Sequence, residues 1–123
     1  MNYLEFKGEG SAELEDIYSM QPALIIVLGA VLQFCKDNSL PCKVTNVRHK
    51  FAQSISNTHP EGRAFDMSVR GWTGTEIKRC IHYVEKEVGH LGAISKNSGV
   101  RVVAVYHDVG LGKHIHFQTQ RGL

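Results

Sequence analysis

His59 precedes Asp66 by seven positions, with Pro60 and Gly62 between them. A loop that runs into a strand can bring both side chains to one point. Further along, His114 and His116 stand two apart, and on a strand residues at that spacing point to the same face. Ile115 and Phe117 would anchor that strand in a core, so one sheet face gathers imidazoles and a carboxylate. Both groups are good zinc ligands, and three protein ligands with one open position is the arrangement of catalytic zinc. Such a metal polarises a carbonyl and activates water near neutral pH, which points to amide hydrolysis. An H-x-H pair alone is also what a half-exposed strand carries for solubility. The second element, His59 with Asp66 and its flanking glycine, favours the metal site. His82, on the outer side of a helix, His90, after Gly89, and His49, in a polar stretch, are not expected to be ligands.

These residues need elements to position them. Ser11 can cap a short helix bearing Leu14, Ile17 and Tyr18, and Pro22 suits the first turn of a second helix from Ala23 to Asp37. That helix is apolar almost all round, the pattern of a centrally buried element; Asn38, Ser39 and Pro41 end it. Lys43 to Val47 and Ala64 to Val69 read as strands, with Phe65, Met67 and Val69 inward and Asp66 on the other face. Thr73 and Glu76 have the capping-box spacing, and Ile77, Cys80, Ile81, Val84 and Val88 form a helical stripe ending near Gly89. Val100 to Tyr106 and His114 to Gln118 read as a hairpin whose turn is shaped by Gly110 and Gly112. The expected fold class is α+β, a small antiparallel sheet with N-terminal helices and one further helix packed on it.

The chain has 123 residues and is 42% hydrophobic, which suits a single domain over 1–123. Fourteen Lys and Arg against twelve Asp and Glu give a net charge of +2, too mild to argue for a nucleic-acid partner. Cys35, Cys42 and Cys80 make no C-x-x-C pair, so neither a disulfide framework nor a zinc knuckle is expected. The N-terminal residues lack a secretory pattern and the longest apolar run falls short of a membrane span, so a soluble protein made in the cytoplasm, with no membrane partner, is the expectation; a monomer is assumed, although nothing in the sequence sets the oligomeric state.

The segment Asn57-Thr58-His59-Pro60-Glu61-Gly62-Arg63-Ala64-Phe65-Asp66 resembles the S-x-H-x-x-G-x-A-x-D motif of the zinc D-Ala-D-Ala carboxypeptidases. That family also contains L-alanyl-D-glutamate endopeptidases and phage endolysins, and is similar in fold to the hedgehog signalling domain. It closes its zinc site with a late H-x-H or E-x-x-H, and His114-Ile115-His116 matches the first. The resemblance implies that His59, Asp66 and His116 hold Zn2+, with His114 beside the metal supporting the polarised carbonyl. It also implies that Arg48, at the end of the strand before the motif, binds a substrate carboxylate or the oxyanion; a solvated arginine beside His49 and Lys50 is the plain alternative. Asn57 replaces the usual serine. No glutamate stands where the family keeps its general base, in Gly110-Leu111-Gly112-Lys113. Asp108 is the nearest acid and the first candidate for that role; His107 is the other, and Asp108 could simply cap the turn.

Two functions follow as expectations. The first is a zinc peptidase cutting an amide in peptidoglycan stem peptides, in the manner of an endolysin made in a host cytoplasm and reaching the wall on release or in a virion. The second is a metal-binding interaction module that has kept the site and lost the base. A zinc nucleobase deaminase would need a P-C-x-x-C element besides H-x-E, and the sequence has no P-C-x-x-C.

Overall fold

The computed structural model describes residues 4–6, 20–47, 62–95, 98–109 and 112–120. The proposed helix over Leu14, Ile17 and Tyr18 lies outside them. Strand β1 (Leu4–Phe6) comes first, then helix α1 (Pro22–Asp37), β2 (Cys42–Asn46), β3 (Ala64–Ser68), α2 (Gly74–Val88), a 3-10 turn at Gly89–Leu91, the short strands β4 (Ala93–Ile94) and β5 (Arg101–Val102), and the hairpin β6 (Ala104–Val109) and β7 (Gly112–Gln118). The main sheet runs β1-β2-β3-β7-β6. All its pairs are antiparallel except β1 with β2, and β4 with β5 forms a separate ribbon. The fold is therefore α+β with a mostly antiparallel sheet.

Alternation along the strands separates the two faces of the sheet. Val44, Phe65, Met67, Ile115 and Phe117 join the core beneath α1 and α2, and Phe65 stacks on Phe117 with ring centroids 5.0 Å apart. Leu4 and Phe6 extend this face onto β1. A three-residue strand is too short to leave a period in the sequence, which is why helices alone were expected in the first third.

Helix α1 starts at Pro22, whose missing N–H costs nothing at a position with no intrahelical partner. It buries Leu24, Val27, Leu28, Val31, Phe34 and Cys35. It is not enclosed on all sides: Ile25 and Ile26 are 45% and 55% exposed. The C-terminus closes as a Schellman motif, with Leu40 N–H donating to the Cys35 carbonyl and Ser39 N–H to that of Lys36, and Ser39 occupying the left-handed position at φ 55. Helix α2 forms the expected capping box: Glu76 N–H donates to Thr73 Oγ1 at 3.1 Å, and Thr73 N–H to Glu76 Oε1 at 2.8 Å. The single stripe Ile77, Cys80, Val84 and Val88 turns inward.

Cys35, Cys42 and Cys80 are free and buried. The Cys42 thiol beside it and burial push the Cys35 thiol up, while burial and Cys42 push Cys80 up to about 12. Cys35 and Cys80 are neutral core groups.

The expected strand from Val100 to Tyr106 is broken at Val103. Glu85 of α2 reaches across, and its Oε2 accepts from Val103 N–H at 3.0 Å and Ala104 N–H at 3.2 Å. Those two donors are thereby withdrawn from any strand ladder. Gly92 lets this corner close: a Cβ there would lie 2.5 Å from the backbone carbon and oxygen of Val102, so any side chain forces the β4–β5 ribbon away.

Gly92→Ala is accordingly expected to cost about 2–3 kcal/mol, read as a lower urea midpoint. At Gly29, where an added Cβ meets nothing within 4 Å in mid-helix, Ala is expected to stabilise by about 0.5–1 kcal/mol.

Candidate functional site

The face of the sheet away from the helices carries Asp66 on β3, His114, His116 and Gln118 on β7, and His107 on β6. Two registers bring them together. β3 pairs with β7 so that Asp66 is opposite His116 and Ser68 opposite His114, and β6 pairs with β7 so that His107 is opposite His114. Val69 N–H donates to the Lys113 carbonyl and Thr119 N–H to that of Arg63, which makes 63/119 and 69/113 hydrogen-bonded pairs. Asp66 and His116, an odd step away from both, then form a non-hydrogen-bonded pair, the kind that holds facing side chains closest. The result is a contact of 3.0 Å between Asp66 Oδ1 and His116 Nδ1, with both side chains largely shielded from solvent, at 16% and 12% exposure.

Both ring nitrogens of His116 face acceptors. Gln118 Nε2 donates to the Val102 carbonyl at 3.3 Å, which orients the amide with Oε1 towards the imidazole. His116 Nε2 lies 3.1 Å from that oxygen, and Nδ1 lies 3.0 Å from the Asp66 carboxylate. A neutral ring has one N–H and can donate to only one of them; two ring protons, or a cation bound at one nitrogen, satisfy both. Asp66 and His116 are residue types that could hold a metal, with Gln118 placed to orient the ring as a supporting residue does around bound zinc.

His114 is held through one nitrogen. Its Nδ1 is 3.1 Å from the Gly112 carbonyl, which can only accept, so Nδ1 carries the hydrogen and Nε2 holds the free lone pair. His107 lies between the two, its ring centroid 5.2 Å from that of His114 and 6.0 Å from that of His116, the latter edge-on. Burial, reinforced by His116 and His114, pulls its pKa below the usual histidine value, against the opposing pull of Asp66. His107 is therefore a neutral base at neutral pH.

The structure brings Asp66, His114 and His116 onto one face. His59 and Arg48, the remaining expected zinc ligand and the expected anion binder, lie outside the described residues. Asp108 is not brought to the cluster: it faces Lys113 across the hairpin, one position on from His107, and the two-residue period turns it to the other side of the sheet. Among the described residues no group of three or more His, Cys, Asp or Glu is by itself arranged to hold a metal. His82 is exposed, as expected for the outer side of its helix, and His90 is exposed as well.

The motif's other residues have structural work. Gly62 adopts φ 70, which L side chains avoid; Arg63 is buried and donates to the Thr119 carbonyl at 3.0 Å; Ala64 is fully buried. A bulge between Val44 and Asn46 in β2 sets Asn46 opposite Asp66, and Thr45 Oγ1 lies 3.5 Å from the Asp66 carbonyl oxygen. Gln118 and the closeness of His107 were not anticipated. The first had a signal, since it continues the 114, 116 alternation; the second needed the hairpin register. A groove lined by Phe34, Asp37, Lys78, His82 and Tyr83 lies between α1 and α2, on the helical side of the sheet.

No protein-family model matches the chain, and comparison with curated proteins and with solved structures gives no significant match. No helix among the described residues is long and apolar enough to cross a membrane.

The lowered pKa of His107 has a consequence for stability. The unfolded chain, titrating at the ordinary value of 6.5, binds this proton more readily than the folded one. The folded state therefore loses stability as pH falls through 6.5 towards the folded-state pKa. Urea midpoints at about pH 7.5 and about pH 5.5 are expected to differ more for the wild type than for His107→Gln, which removes this titration; equal differences would contradict the assignment.

Proposed function

We propose that this chain is a zinc-dependent peptidase that hydrolyses an amide bond in peptidoglycan stem peptides, with His59, Asp66 and His116 as the metal ligands. The observation that carries the reading is the juxtaposition of Asp66 Oδ1 and His116 Nδ1 at 3.0 Å on the face shared with His107 and His114, with Gln118 orienting the His116 ring. A carboxylate and an imidazole so placed can share a divalent cation, and the resemblance of residues 57–66 to the carboxypeptidase motif supplies the third ligand and the substrate class. The same resemblance assigns Arg48 to a substrate carboxylate, and suggests an endolysin-like enzyme that reaches the cell wall after release from a host or within a virion.

Bound zinc would act as a Lewis acid on the scissile carbonyl and ease deprotonation of water. The chain's own groups do the rest. His107, neutral and on the same face, takes a proton from the attacking water and returns it to the departing amine, the part a glutamate plays in the family. His114 offers Nε2 as an acceptor when neutral, orienting the water; with a second proton it becomes a donor to the developing oxyanion. Asp108, turned to the other face, is left for the hairpin end.

A second reading is favoured by one observation: the described residues bring no carboxylate other than Asp66 to the histidine face. On that reading the chain is a metal-binding interaction module of the same fold, without turnover.

Zinc-loaded protein incubated with muropeptides separates the two. Peptidase action releases D-Ala or splits the stem, and His107→Gln is expected to lower kcat by about 10²–10⁴-fold with zinc still bound one per chain. Asp66→Asn and His116→Ala are expected to lose the metal. Stoichiometric zinc without cleavage selects the interaction module; no zinc at all rejects both.

A further inference from the structure

The main sheet has two edges, and they are treated differently. On one side β1 is only three residues long, a common way of blunting an edge. On the other, β6 has six residues and, among the described residues, pairs with β7 alone. The direction of its outer hydrogen-bonding groups follows from the register. Gln118 N–H donates to the Val103 carbonyl at 2.9 Å, and 103 is opposite 118 by the same count that sets Ala104 opposite Phe117. The hydrogen-bonded pairs of this hairpin are therefore 103/118, 105/116, 107/114 and 109/112. Residues 104, 106 and 108 turn their N–H and C=O outwards.

Glu85 takes the N–H of Ala104 at 3.2 Å and that of Val103, and so closes one end of this edge. Tyr106 and Asp108 are left. Both are exposed, and no hydrogen bond from the described residues reaches their outward N–H or C=O. Between them stands His107, whose backbone is committed to β7 and whose imidazole lies on the face with His114 and His116.

We propose that the β6 edge is the substrate-binding strand: an extended peptide adds antiparallel to it, exchanging backbone hydrogen bonds with Tyr106 and Asp108. The peptide residue between those two anchor points is then opposite His107, with its side chain on the histidine face if it is an L-residue and its flanking amides beside the imidazoles. Recognition through the backbone selects a peptide in extended form, at least three residues long, over an isolated amide or a sugar. The Glu85 block fixes where that peptide must end its pairing, and so limits the number of registers. This inference rests on the peptidase reading of the site and adds how the substrate is held.

The test uses zinc-loaded protein and a phosphinate analogue of the stem pentapeptide, which is not cleaved. On binding, amide hydrogen exchange at Tyr106 and Asp108 is expected to slow at least tenfold. A scan of N-methylated analogues is expected to weaken binding at alternate peptide amides, with the amide between them tolerant. Tyr106→Pro removes one outward N–H without touching the β7 ladder, and is expected to weaken binding by about five- to tenfold, one hydrogen bond's worth, while Tyr106→Phe binds as wild type. If Tyr106→Pro fails to fold, the exchange data on the wild type decide alone. Unchanged exchange at Tyr106 and Asp108 alongside shifted ring signals of His107, His114 and His116 overturns the strand-addition inference and leaves the peptidase reading standing. No change anywhere, with no cleavage of the natural peptide, overturns both.

Discussion

The site depends on one choice of register, the pairing of β3 with β7 that makes Asp66 and His116 facing members of a non-hydrogen-bonded pair. A slip of one residue would move every side chain of a strand to the opposite face and send Asp66 into the core. Several features hold the register. Phe65 stacks on Phe117 on the buried side, Met67 pairs with Ile115, and at the open end of the sheet Arg63 and Thr119 exchange backbone and side-chain bonds. The acid and imidazole are thus brought together by apolar packing on the face they do not occupy.

The same division of labour extends to the histidines. Gln118 is largely buried and turns Oε1 to His116 Nε2, whose Nδ1 faces Asp66; the Gly112 carbonyl faces His114 Nδ1. The two rings are therefore oriented by different neighbours, His116 through both nitrogens and His114 through Nδ1. His107 completes the row without a bond of its own kind, and burial among imidazoles keeps it neutral.

Much of this was legible in the sequence where local rules govern. The capping box at Thr73, the apolar stripe of α2, the alternation of β3 and β7 and the shared face of His114 and His116 all express two short periods. What was not legible depends on distant partners. The break at Val103 is imposed by Glu85 from α2, and nothing in residues 100–106 announces it. The exposure of Ile25 and Ile26 reflects how much of α1 the sheet can cover. Asp108 is the nearest acid along the chain, but the two-residue period turns it away from the histidine face, whereas His107, the other candidate named beside it, is set opposite His114 by the hairpin register. Gly62 and Gly92 show the reverse case, glycines whose reason is visible only once the backbone is in place.

The central proposal is that Asp66 and His116, held face to face at 3.0 Å, bind zinc through the carboxylate and Nδ1, with His116 Nε2 turned to Gln118 Oε1. Long-range 1H–15N correlation of the histidine rings, recorded near neutral pH with and without added zinc, tests it directly. The account predicts, with zinc, a protonated Nε2 and an Nδ1 resonance in the range of a metal-bound nitrogen. A proton on Nδ1 that persists when zinc is added, with Nε2 bare, would contradict it.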